Sequence, residues 1–204
     1  MDEFTLNRRM MLTALTGLAS LAALPVRAQG ANRAHALIAA ARRQIGVTLA
    51  YDPAYTRLAF PGGDVPRAKG VCTDVVIRAY RDALGLDLQA LVNADMRAAF
   101  AAYPKRWGLK RPDSNIDHRR VPNLQTFLAR KHAQLPIPAS PSDWQPGDIM
   151  TCLVGGTLPH IGIVSDRRTM IAGRPLLIHN IGQGTREEDA LDDHRITGRY
   201  RWLG

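Results

Sequence analysis

The chain has 204 residues, 46% of them hydrophobic, with 27 Lys and Arg against 18 Asp and Glu, for a formal net charge of +9. A basic excess favours anionic surroundings such as wall polymers, lipid headgroups or nucleic acid. The charges are scattered, however, and no basic stripe interleaved with aromatics is present, which argues against single-strand nucleic acid.

The first stretch reads as an address. Arg8 and Arg9 form a positive n-region, an apolar run follows from Met10 to Leu24, and Val26 and Ala28 put small residues at a cleavage site. The expectation is a signal peptide over 1–28 and a periplasmic or secreted mature chain. The run is too short for a membrane span, which needs about 20 residues. No cysteine stands at the cleavage site to take a lipid anchor. The general secretory route fits, and Asn7-Arg8-Arg9-Met10 also permits a twin-arginine reading. About 175 residues remain, carrying about +8, enough for one domain over 29–204 and too few for two.

Ala34, Leu37, Ile38, Ala41 and Ile45 recur at helical spacing before Gly46. A loop rich in Pro and Gly runs from Asp52 to Gly70. Val71, Val75, Val76, Ala79 and Ala83 mark the buried face of a helix ended by Gly85. A further helix spans Leu88 to Tyr103, Pro104 to Pro122 is irregular, and Pro122 suits the first turn of a helix carrying Leu124, Phe127 and Leu128. After Pro141 the period shortens. Asp148–Val154, Ile161–Val164, Leu176–Ile181 and Ile196–Leu203 read as strands, with Gly155 and Gly156 as a hairpin turn. Helices first and an antiparallel sheet after them make an α+β order.

Gly70-Val71-Cys72-Thr73-Asp74 puts a cysteine at the start of a helix. The helix N-terminus stabilises a thiolate, and its unpaired amides can hold an oxyanion formed when sulfur attacks a carbonyl. Pro159-His160-Ile161-Gly162 offers an imidazole at the head of a buried strand. His179-Asn180 on the next strand offers two side chains able to orient it. Strand alternation sends those two to opposite faces, so one of them reaches His160.

This order resembles the NlpC/p60 branch of the papain-like cysteine hydrolases, in Cys72, in Trp144-Gln145-Pro146-Gly147-Asp148-Ile149, in His160-Ile161-Gly162-Ile163 and in His179. More closely, the chain is similar to the bacterial family DUF1287. The stretches that carry this are Gly70 to Tyr80, Asn115 to Leu124 and Pro159 to Asp166. The resemblance implies a papain-like fold with Cys72 as nucleophile, His160 as general base and His179 as orienting residue, with Asn180 the alternative. No cofactor and no metal are expected. The sequence departs from the hydrolase pattern in two places. Val-Cys-Thr-Asp stands where Asp-Cys-Ser-Gly is usual, and an insertion of about 85–142 separates the nucleophile helix from the sheet.

Within that insertion, Asp117-His118-Arg119-Arg120 reads either as a solvated loop or as a clamp on a substrate carboxylate, which a planar guanidinium grips with two bonds. Tyr51 and Tyr55 are candidates to cap the oxyanion or to pack in the core. Asp74 suits the helix dipole. Cys72 and Cys152 are the only cysteines. In an oxidising compartment they permit a structural bridge, a redox lock or a buried free Cys152, and the third is favoured. His160, His179 and Cys72 lack the close spacing of a zinc site. The expected activity is hydrolysis of an amide, as in peptidoglycan stem peptides. A non-catalytic envelope-binding protein is the competing class, and an acyltransferase a third.

Overall fold

The computed structural model describes residues 26–204. The export segment expected over 1–28 lies outside the described residues, save its last three, which open the first helix. That helix, α1, spans Val26–Arg42, and the chain then turns through Gly46 at a positive φ of 77°. Two-residue strands β1 (Ala50–Tyr51) and β2 (Lys69–Gly70) pair in parallel, closing the long Pro- and Gly-rich loop. Helix α2 follows at Cys72–Leu84 and ends at Gly85, whose φ of 67° makes the left-handed cap that glycine adopts freely. Helix α3 covers Leu88–Ala99, with Asp87 accepting the Gln89 amide as its cap, and decays into a 3-10 turn over Phe100–Ala102. A second 3-10 turn holds Asp117–Arg119 and leads into α4, Val121–Arg130, with Pro122 in its first turn.

The remainder is a six-stranded antiparallel sheet in the order β3-β8-β4-β5-β6-β7. Its strands are β3 Gln134–Leu135, β4 Ile149–Val154, β5 Leu158–Arg168, β6 Pro175–Asn180, β7 Thr185–Glu188 and β8 Arg195–Tyr200. β4 to β7 form a meander, and β8 returns to pair with the free side of β4. The expected α+β order is therefore present. The β4–β5 turn falls at Gly155 and Gly156, both at positive φ, and Cys152 pairs directly with His160.

Alternation divides the sheet. Ile149, Ile161, Ile163 and Ile178 face the helices and join Leu37, Ile38, Val75 and Ala79 in the main core. Met150, Cys152, Val164 and Leu177 face the other way and pack with Trp144 and Leu191. The segment expected as an insertion contributes Leu88, Val92, Leu124 and Phe127 to that same main core. Helix α4 lies against β5 and β8, so these residues are as interior as any in the fold. The start of β4 is pinned by Asp148, fully buried, whose carboxylate takes Arg199 and Arg201 from β8 and its continuation.

Candidate active site

Cys72 is the first residue of α2, where backbone amides have no intrahelical acceptor. The turn that presents it is built from three polar side chains. Arg78, fully buried, binds Asp64 through its guanidinium and also the carbonyls of Val65 and Lys69, holding the incoming loop. Asp74 accepts the Val71 amide at 2.6 Å. Arg119 then grips both oxygens of Asp74 at 2.9 Å, while the Arg119 carbonyl accepts the Thr73 hydroxyl at 3.0 Å. Gly70 has no room for a side chain: a Cβ there would lie 3.0 Å from Asp74 and 3.2 Å from Arg78.

The two departures from the hydrolase pattern thus meet in one place. Thr73 and Asp74 replace Ser and Gly, and both bond Arg119 of the additional segment. No local sequence signal joins residues this far apart.

The sulfur of Cys72 is buried in the floor of a cavity of about 260 Å³. The Tyr51 hydroxyl and the backbone amides of Thr73 and Ile161 lie close to it and favour its thiolate. Burial nevertheless dominates and pushes the thiol up to about 11. Tyr51 is half-exposed and titrates higher than a free phenol because it is desolvated beside this sulfur. The cavity walls include Pro53, Trp107, Arg119, Arg120 and Pro159, with Arg106 at the rim. Arg120 stacks over the Trp107 ring at 4.1 Å and donates to Asp117 at 2.9 Å. Among the described residues, no Asp or Glu lines the cavity.

Ile161, whose amide neighbours the sulfur, directly follows His160, and alternation turns the two side chains to opposite faces: Ile161 packs with Cys72 in the main core, whereas His160 shares the face of its cross-strand partner Cys152. The His160 ring is buried and its Nε2 lies 2.8 Å from Nδ1 of His179 on the next strand. Nε2 of His179 in turn lies 3.0 Å from Glu188 on β7. Among the described residues, Nδ1 of His160 makes no hydrogen bond, and none joins Cys72 to His160. Burial, with His179 and His194 nearby, pushes the His160 imidazolium down to about 3, so the ring is neutral near pH 7. His179 is lowered too, by burial, with the Glu188 bond acting in the opposite sense.

Asn180 points to the other face, donates to the Gly70 carbonyl at 3.1 Å, and so ties β6 to the cysteine turn rather than to His160. Of the charged cluster, Arg119 and Arg120 line the cavity. Asp117 and His118 are buried beneath it. Asp117 accepts the Asp113 amide and caps its own turn. His118 is held neutral, its titration pushed down to about 4 by burial. Tyr55 bonds Asp113 and Asn115 away from the sulfur. Both cysteines are free, Cys72 in the main core and Cys152 in the cluster on the opposite face of the sheet. Glu188 and Trp107 carried no signal in the sequence. Glu188 lies in the all-polar run Thr-Arg-Glu-Glu, and Trp107 in an irregular segment.

The fold and site define an α+β protein that sets a helix-initiating cysteine against one face of a sheet whose other face bears a His–His–Glu chain. The chain belongs to the family described as Domain of unknown function (DUF1287), whose family model matches residues 38–202. It is 53% identical over 196 residues to the uncharacterized protein YijF of Escherichia coli (strain K12), an alignment covering 95% of each chain.

Proposed function

We propose that this chain is an exported, papain-like cysteine hydrolase of the NlpC/p60 kind that opens an amide bond, with peptidoglycan stem peptides as its substrate. The observation that supports this best is the cysteine in the first turn of α2, lining a cavity and lying beside the Ile161 amide of the strand that carries His160. The ring of His160 faces the Cys152 side of the sheet, so in this reading it turns about the head of β5 to take the Cys72 proton on Nδ1 as the sulfur attacks the carbonyl carbon. Neither group charges readily alone in this buried setting. The transfer creates both charges together, and their attraction offsets part of the desolvation. The Cys72 amide and the Tyr51 hydroxyl hold the oxyanion. The C–N bond then breaks as His160 returns the proton to the leaving amine. Water, deprotonated by His160, hydrolyses the thioester and frees the acid.

A cavity walled by Trp107 and arginines, with no acid among its lining residues, suits an acyl group that carries a carboxylate beside the scissile bond. A net charge of +9 suits an anionic wall polymer.

One observation favours the envelope-binding alternative: Cys72 is only 3% exposed and its thiol is held up near 11. Digestion of defined stem peptides, followed by mass spectrometry, separates the two. The hydrolase reading expects cleavage by the unmodified protein and a loss of about 10³-fold or more in Cys72→Ser and His160→Ala. Binding without cleavage, equal in all three, supports the binding protein instead.

A further inference from the structure

We infer that Glu188 is a positioning residue that fixes the tautomer of both histidines and leaves Nδ1 of His160 bare and ready to accept a proton. A carboxylate accepts hydrogen bonds and does not donate them. Nε2 of His179, at 3.0 Å from Glu188, therefore carries the hydrogen. A neutral imidazole holds one N–H, so Nδ1 of His179 is an acceptor. His160 must then donate from Nε2 across the 2.8 Å bond between the rings. Its single hydrogen is spent there, and Nδ1 keeps its lone pair. In the opposite tautomer Nδ1 of His160 would carry the hydrogen and could accept none.

Glu188 is placed for this task alone. Its neighbour Glu187 is spent on Arg42, Arg167 and Ser165 on the other face of β7. Glu188 has His179 as its sole ionic partner among the described residues, and its own side chain is 38% exposed while that of His179 is 2% exposed. The carboxylate thus reaches from solvent to the last ring of a buried chain. The other charged groups around the pair are His194 and Asp193 on the loop before β8, and Arg186, the residue paired with His179 across the strands. When His160 takes up a proton, its new charge is shared along a line of hydrogen bonds that ends on Glu188. The catalytic consequence rests on the hydrolase reading, whereas the tautomer assignment does not.

Two substitutions at this half-exposed position separate positioning from packing. Glu188→Gln keeps an acceptor oxygen for Nε2 of His179, whereas Glu188→Lys offers only donors and reverses the chain. Nitrogen-15 NMR of the imidazoles reads the tautomers directly. The unmodified protein and Glu188→Gln should show His160 protonated on Nε2, and Glu188→Lys should show it on Nδ1. Thermal melting establishes that both variants fold. A proton on Nδ1 of His160 in the unmodified protein overturns the inference, as does equal behaviour of the two variants. If the tautomers are as stated and no amide is cleaved, the hydrolase reading fails and the role of Glu188 stands.

Discussion

Asp74 offers one carboxylate to three donors, the Val71 amide and two nitrogens of Arg119, and both partners of the ion pair are buried. Removing one partner leaves the other charge stranded, which costs more than the pair contributes. Asp74→Ala should lower stability by about 3–5 kcal/mol in urea unfolding, and adding Arg119→Met should restore part of that loss. Gly70→Ala sets a methyl between Asp74 and Arg78, neither able to yield because Arg119 and Asp64 hold them. It should cost about 1–3 kcal/mol by the same measurement. The places of Cys72 at the start of α2, His160 near the start of β5 and His179 near the end of β6 were legible in the sequence, because their neighbours announce those elements. The Asp74–Arg119 pair was not. Its members are 45 residues apart, and their charges look like any others on a basic chain.

At the scale of elements, β5 and β6 carry the two histidines, and their spacing depends on Gly162. A Cβ there would come within 2.9 Å of Leu177 and 3.1 Å of His179. Gly162→Ala should therefore push His179 away from His160, destabilise the fold by about 1–3 kcal/mol, and shift the imidazole NMR signals of both rings. Alternating apolar residues made β4, β5, β6 and β8 readable, and the Gly-Gly turn set the register that pairs Cys152 with His160. β7 escaped because Thr-Arg-Glu-Glu has no apolar side to alternate. Its polarity follows from its place at the sheet edge, where it brings Glu187 and Glu188 to opposite faces. The expected helix from Leu88 to Tyr103 ends earlier, at Ala99, and continues as a tight turn in which Tyr103 bonds Asp95. The segment taken for an insertion was legible as helices but not as core, since apolar spacing says that a face is buried and not against what.

For the whole molecule, three buried histidines set a pH dependence. His118 and His160 titrate near 6.5 in an unfolded chain, against about 4 and about 3 in the fold, and His179 is lowered as well. Below about pH 6.5 the unfolded chain binds protons that the folded one refuses, so stability is full above that pH and falls as the pH drops. Asp82, Asp95, Asp166 and Glu187, held low by arginine partners, act in the same direction at more acid pH. Urea unfolding should therefore show a loss on the order of 2–4 kcal/mol between pH 7 and pH 5. The central claim is that His160 serves Cys72. Its most direct test is the rate of Cys72 alkylation from pH 5 to 10, in the unmodified protein and in His160→Ala. The account predicts a reactive thiol near pH 7 that slows by at least about tenfold when His160 is removed. A rate that climbs steadily toward about pH 11, where the buried thiol is held, and that ignores His160→Ala, would contradict it.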